Sequence, residues 1–413
     1  MPHRPEKKQA ILAVNIGSSS LKFSIHPIFS GEAGRRAGPA TFSGSVQGLE
    51  PGGKPFLQLS GQTGEKKTPI LAENHEDGLQ SALQILRGLI HDHEQNVTIA
   101  AVAHRVVHGG DQFSKAVVVN DKVLRSLHAL DPLAPLHQPH NLRGIEALSQ
   151  HFSGTPQIAC FDTAFHTDIA PIEKTFPLTR ALYAQGIKRY GFHGLSYHYI
   201  STRLREQTAK AGQRLLMAHL GNGSSLCACV SGKSFSTTMG FSAIGGLMMG
   251  TRCGDLDPGV VLYLVQQGMK ARDLENLFYR ESGLKGLSGL SADMRTLRQS
   301  KDEWALFAIE VYTRRVIREA GGLIAAMGGV DAIAFAGGIG ENDKTLRQDL
   351  CDGLSFLGLK LDTAANQAAS NQRISSIHAA ESKVELWVVP TDEGLITAEQ
   401  ALALLDGPAE QDI

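Results

Sequence analysis

The stretch Leu215–Val230, LLMAHLGNGSSLCACV, decides the fold. Apolar residues run into the turn His219-Leu220-Gly221-Asn222-Gly223-Ser224-Ser225, and apolar residues resume. The two runs read as short strands. Glycine lets a backbone fold sharply and lets a ligand approach its N–H groups. With two serine hydroxyls beside it, such a loop suits phosphate oxygens. A plain hairpin turn would use the same residues. The N-terminus echoes the stretch. In Ile11–Ile25, ILAVNIGSSSLKFSI, an apolar strand leads into Asn15-Ile16-Gly17-Ser18-Ser19-Ser20 and a second strand follows. Similar units half a chain apart imply a duplicated domain. Two domains that each offer a phosphate loop imply a cleft for a nucleotide.

Bulk properties agree. A chain of 413 residues is too long for one ordinary core, so two domains are expected. Hydrophobic content of 42% and charged content of 20% are those of a soluble globular protein. A net charge of −1 gives no electrostatic reason to expect nucleic acid or an anionic membrane. The five cysteines are scattered and form no CxxC pair, which argues against a structural zinc site. The polar N-terminus precedes an apolar run too short for a signal peptide and broken by Asn15. No apolar run reaches membrane-spanning length. A reducing, cytoplasmic setting is expected.

Along the chain, residues 10–26 read as a hairpin, and Phe29–Lys67 as either an exposed antiparallel ribbon or a loop. Apolar spacing predicts helices over Gly78–His93, Asp121–Leu130, Asn141–Phe152, Ser196–Gln207, Glu303–Ala326 and Thr391–Leu405. Two prolines make Leu133–Pro139 an irregular loop. Strands are expected at Val97–Val102, Gln157–Phe161, Val330–Phe335 and Val384–Val389. Asp257-Pro258 is a helix start, a capping side chain followed by proline. The alternation argues for α/β layers.

Several constellations point to chemistry. Gly337–Asn342, GGIGEN, lies between an apolar strand and a helix. It reads as a tight turn or as a ligand loop, since helix starts bind anions and glycines let a flat group lie on the backbone. There is no Walker A motif and no intact GxGxxG. Arg105 sits at a strand end beside two histidines. Arg252 sits in the apolar, glycine-rich Gly245–Pro258, GGLMMGTRCGDLDP. Guanidinium forks match carboxylates and phosphates two bonds at a time. His193, in Tyr190-Gly191-Phe192-His193-Gly194, is either a satisfied core histidine or a donor to developing charge. Asp162 and Glu393 follow strand ends and are candidates for Mg²⁺ or its waters, Glu393 also reading as a first-turn helix acid. Asp293 and Arg295 read as an exposed ion pair or a nucleotide contact.

Together these segments resemble the acetate kinase family, within the superfamily of acetate and sugar kinases, heat-shock chaperones and actin. The matching pieces are NIGSSSLKF from Asn15, HRVVHGG from His104, LAPLH from Leu133, FDTAFH from Phe161, RYGFHG from Arg189, HLGNGSS from His219, GLMMGTRCGDLDPG from Gly246, GGIGEN from Gly337 and PTDE from Pro390. They run in family order over nearly the whole chain. The resemblance implies a duplicated two-domain, actin-like and ribonuclease H-like α/β fold with a nucleotide cleft between the domains. It implies an N-terminal domain of 1–165 completed by 390–413, and a nucleotide-binding domain of 166–389. The implied reaction is reversible transfer of the ATP γ-phosphoryl group to acetate, giving acetyl phosphate and ADP. The implied metal is Mg²⁺, with Mn²⁺ able to substitute, held by Asn15 and Glu393. His193, Arg252, Arg105 and Asp162 match the catalytic residues, and His137 and His219 match histidines of the same cleft. Arg105, Val107, Leu136, Phe192 and Ala243 match the acyl-substrate site. Nucleotide contacts fall on Ser18, Ser20, Lys22, His219, Leu220, Gly221, Asn222, Gly223, Asp293, Met294, Arg295, Gly338, Ile339, Gly340 and Asn342. A homodimer in the cytoplasm, with no nucleic-acid or membrane partner, completes the expectation.

The chain departs from the family pattern in places. Ala243 stands where proline commonly lines the acyl pocket, and Gly245 where an acid is common. Leu195 and Tyr197 replace the common Thr and His. Gln138 replaces Asn, and Ala336-Gly337 replaces Thr-Ala. Ala243 leaves room for a longer acyl chain, so a propionate or butyrate kinase is the nearest alternative. A switch ATPase of the actin or chaperone type is the distant one, and for a chaperone it predicts a peptide-binding domain that the chain, ending soon after its last helix, is not expected to have.

Overall fold

The computed structural model describes residues 8–17, 19–32, 34–49, 54–60, 66–70, 80–88 and 97–407. The chain forms two compact units, Met1–Ala164 with Asp392–Ile413, and Phe165–Thr391.

In the first unit the N-terminal hairpin, Lys8–Ile16 and Ser20–Gly31, pairs antiparallel with Asn15 opposite Lys22. The strands Phe42–Gln47, Phe56–Ser60 and Lys66–Pro69 extend it antiparallel, so the ribbon reading of this region holds. On its other side Lys8–Ile16 pairs in parallel with Val97–Val106, which pairs in parallel with Gln157–Phe161. Ile11–Val14 is a continuous buried run. That is the pattern of a strand covered on both faces rather than one. The helices Gln138–His151 and Glu393–Asp406 and the helical residues 80–88 complete this unit with Asp121–His128. Of the helix expected over Gly78–His93, both ends lie outside the described residues.

The second unit repeats the sheet order. The central hairpin, Arg214–Leu220 and Ser224–Val230, pairs antiparallel, a third strand Lys233–Thr237 adds antiparallel, and Ala332–Ala336 and Glu385–Val388 add in parallel. Side chains alternate across a strand with a period of two. Leu216, Ala218, Leu220, Leu226 and Ala228 therefore face the helix Glu303–Ala326 in one core. Leu215, Met217, Cys227 and Cys229 face Tyr197, Ile200 and Leu204 of the helix Gly194–Arg205 in another.

Two local expectations are corrected. The helix expected from Asn141 begins at Gln138, with Pro139 in its first turn, where the missing N–H costs nothing. Gly337–Asn342 is a short helical turn, not a loop. Gly337 holds φ +74°, and a Cβ there would lie 2.7 Å from the Leu220 carbonyl oxygen, so this corner requires glycine. All five cysteines are free. Among the described residues no helix is long and apolar enough to cross a membrane.

Candidate active site

The first unit gathers three of the expected residues, Asn15, Asp162 and Glu393, around the guanidinium of a fourth, Arg105. Arg105 lies near the end of Val97–Val106, and Asp162 follows the neighbouring strand directly. Arg105 donates from Nε to Asp162 Oδ1 at 3.2 Å, from Nη2 to Asp162 Oδ2 at 2.5 Å, and from Nη1 to Asn15 Oδ1 at 3.2 Å. Glu393 Oε2 lies 3.6 Å from Arg105 Nε. Burial pushes the Asp162 carboxyl above its ordinary range; Arg105 opposes that shift and Glu393 adds to it. Burial likewise works against the charge on Arg105, but the two carboxylates outweigh it. Two carboxylates thus share one guanidinium.

That donor set is all hard oxygen and carries excess negative charge, which suits Mg²⁺ or Mn²⁺. Among the described residues no group of three or more His, Cys, Asp or Glu is placed to hold a metal. The fit is therefore to an ion shared with a substrate's phosphates rather than caged by protein alone. Glu393 is the first residue of its helix, a first-turn acid, and its carboxylate also faces Arg105. Lys22 is exposed, Ser20 half-buried, and Ser18 lies outside the described residues. Val107 is buried, Leu136 and His137 half-buried.

Two residues that the sequence reading did not assign to the site hold this segment. Asn141 accepts from the Val107 N–H at 3.0 Å and donates to the Ile16 carbonyl at 2.5 Å. Gln138 accepts from the His108 N–H at 3.2 Å and donates back to its carbonyl at 3.0 Å.

The second unit gathers another set at the turn of its central hairpin. His193 caps the helix Gly194–Arg205 with φ +59° and ψ +23°, a left-handed backbone uncommon outside glycine. Its Nδ1 lies 2.9 Å from Ser225 Oγ, and its ring lies 4.4 Å from that of His219. His219 Nδ1 in turn lies 2.7 Å from Ser196 Oγ. A Cβ on Gly223 would lie 3.1 Å from His193 Nε2 and 3.8 Å from Arg252 Nη1, so this glycine sits between the imidazole and the guanidinium. Arg252 donates from Nη1 to the Ala243 carbonyl at 3.0 Å and stands 6.0 Å over the Tyr279 ring. Phe192 is buried and Ala243 half-buried.

Beyond the turn an open cavity of about 860 Å³ is lined by Gly221, Asn222, Asp293, Met294, Arg295, Gly338, Ile339 and Asn342. Those eight come from three separate segments of the sequence reading. Ala292, Arg298, Gln299, Asp343, Lys344, Thr345 and Asn371 line it too, outside the residues that the resemblance marks. Arg298 bonds Asp343 at 3.1 Å. Leu220 and Gly340 do not line the cavity; both are buried, Leu220 within the core. Asp293 and Arg295 form an ion pair at 3.0 Å, with Arg295 84% exposed.

A cavity of this size with glycine walls and mixed charge fits a nucleotide-sized, phosphate-bearing ligand, the equipment of a phosphotransferase. The family profile of the acetokinase family matches residues 10–399. The acetate kinase of Rhodopseudomonas palustris (strain ATCC BAA-98 / CGA009) is 45% identical over 403 residues, covering 96% of this chain and 98% of that protein. The crystal structure of Porphyromonas gingivalis acetate kinase superposes with a TM-score of 0.85 at 34% identity, covering 96% of this chain and 100% of that one. A propionate kinase from Francisella tularensis subsp. tularensis SCHU S4 superposes with a TM-score of 0.85 at 30% identity, covering 95% and 98%. The chain belongs to the acetokinase family.

Proposed function

We propose that the chain is an acetate kinase, transferring the ATP γ-phosphoryl group reversibly to acetate. The observation that carries this is family membership over residues 10–399 together with intact Arg105, Asp162, Glu393, His193 and Arg252. The acceptor is a carboxylate, already ionised near neutral pH, so no general base is needed. A carboxylate oxygen forms the new bond to phosphorus, the bond to the β-phosphate oxygen breaks, and ADP leaves. The difficulty is to bring anions together and to stabilise charge on the transferring group. Arg105 neutralises and orients, with Asp162 and Asn15 fixing its fork. His193 donates to the developing charge and Arg252 neutralises it. The cavity walled by Asn222, Gly338 and Asn342 takes the nucleotide. Mg²⁺, held through Glu393 and Asn15, would neutralise the nucleotide phosphates.

Acyl preference rests on Ala243, whose small side chain favours room over a tight fit. Propionate is the second reading, supported by likeness to a propionate kinase structure. Trapping acyl phosphate as hydroxamate across formate, acetate, propionate and butyrate tests both. The expected result is highest kcat/KM with acetate, and a lower kcat/KM for propionate in A243P. Hydrolysis of ATP without acyl phosphate from any acid would overturn the kinase reading.

We also infer a homodimer in the cytoplasm. The helix Pro258–Gln266, PGVVLYLVQ, has no buried residue, and Leu262 and Tyr263 are 63% and 60% exposed. An apolar helix of this kind marks an interaction surface. Five free cysteines fit a reducing compartment.

A further inference from the structure

The helix Gly194–Arg205 lays Tyr197 on the hairpin face that presents His219 and Ser225, which stand opposite each other in the register. Tyr197 is fully buried. Its hydroxyl lies 2.5 Å from Ser225 Oγ, and Ser225 Oγ lies 2.9 Å from His193 Nδ1. Each hydroxyl has one proton to give and can accept two bonds, so the protons are arranged in one of three ways. In the first, Tyr197 donates to Ser225 and Ser225 donates to Nδ1; neutral His193 then carries its proton on Nε2. In the other two Nδ1–H donates to Ser225: either Ser225 donates to Tyr197 and the phenol proton needs another acceptor, or Tyr197 also donates to Ser225 and the Ser225 proton needs another acceptor.

Among the described residues the hydrogen bonds of these two hydroxyls are the one between them and the one from Ser225 Oγ to His193 Nδ1, so a proton turned away from that line meets no acceptor. A buried donor without an acceptor bears its full desolvation cost. The first arrangement leaves every group satisfied. Burial also raises the Tyr197 pKa well above its ordinary value, so the phenol keeps its proton.

We propose that Tyr197 is a positioning residue: acting through Ser225, it holds neutral His193 with its proton on Nε2, the nitrogen turned toward Gly223 and Arg252. The inference rests on the reading of His193 as the donor to the transferring group, because only a protonated Nε2 can donate there. Protonating Nδ1 would strand either the Ser225 proton or, if Ser225 and Tyr197 reverse together, the phenol proton. The Arg252 guanidinium near Gly223 disfavours a second positive charge in the same sense, and the neighbouring His219 ring is held by Ser196.

Nitrogen-detected histidine side-chain spectra of the ring-labelled full-length protein test this, with His193 assigned through H193N. The expected result is an unprotonated Nδ1 and a protonated Nε2 in the wild type, and a mixed or reversed pattern in Y197F and in S225A. In turnover, Y197F should lower kcat by about tenfold, the size of one lost hydrogen bond, with both KM values within about twofold. The double variant should lose no more than the worse single one, since both break one relay. A wild-type proton on Nδ1, a Y197F spectrum like the wild type, or additive losses would overturn the proposal. If Y197F does not fold, S225A provides the same spectral test. The spectra do not depend on turnover, so a wild type that makes no acyl phosphate would strike the kinase reading alone.

Discussion

Gly223 owes its place to what surrounds it. A Cβ there would lie 3.1 Å from His193 Nε2, so the imidazole would have to give way slightly, while Arg252 Nη1 at 3.8 Å would stay in ordinary contact. Gly223→Ala should therefore lower kcat by about 10- to 100-fold, because sub-ångström misplacement of a reacting group has costs of that order. The melting temperature should move little, since no left-handed φ is needed at Gly223. A G223A enzyme with normal kcat would mean that the His193–Arg252 spacing does not matter. His193→Ala removes the donor itself, and a loss of about 10²–10³ in kcat is expected with the fold retained. Circular dichroism and hydroxamate assays on the same preparation separate the two effects; full turnover would remove His193 from the mechanism. From Phe192-His193-Gly194 alone His193 reads equally as a satisfied core histidine and as a donor; only the resemblance to the acetate kinase family points to a role in the site. The tie of His193 to Ser225 and Tyr197 was not legible, because the three belong to different elements and only the hairpin register brings them together.

At the scale of elements, periodicity was read well where one face is apolar and the ends are marked. The helix Glu303–Ala326 has the bounds that its spacing predicted, and Asp302 caps it through the Trp304 and Ala305 N–H groups at 2.9 and 3.1 Å. The helix at Pro258 begins as Asp257-Pro258 announced. Glycine and proline misled elsewhere. Pro139 reads in sequence as a breaker although proline is at home in a first turn, and three glycines hide the helical turn Gly337–Asn342. The cavity-lining Arg298, Lys344 and Asn371 carried no motif at all. The exposed helix Pro258–Gln266 leads to a prediction at this scale. Changing Leu262 and Val265 together to glutamate should shift the protein from dimer to monomer in light scattering, leaving its circular dichroism intact. A wild type that is monomeric at micromolar concentration would remove the dimer.

For the whole molecule, buried histidines set the response to acid. Burial pulls His104, His108 and His166 down to about 4, although hydrogen bonding to Gln157 supports the charged form of His104. In the unfolded chain each would titrate near 6.5, so between those values the unfolded state binds more protons. The stability these histidines contribute is thus full above pH of about 6.5 and falls as pH drops toward about 4, by on the order of 3 kcal/mol per histidine at the acid end, against the opposite contribution of the raised Asp162 carboxyl. The melting temperature should fall steadily over that window, and H104Q should flatten the slope. A wild-type slope in H104Q would exclude His104 as a contributor.

The helix Glu393–Asp406 belongs to the first unit, where it supplies Glu393 beside Arg105 and ties to Arg35 through Asp406. The second unit is continuous in sequence, whereas the first is interrupted by it. Domains made by the ribosome ordinarily fold in the order of their synthesis. Here that order is inverted: the nascent chain has every residue of its second unit before it has the last helix of its first. The unit begun first is finished after the second, and Arg105 meets Glu393 only once the whole of the second unit has been made.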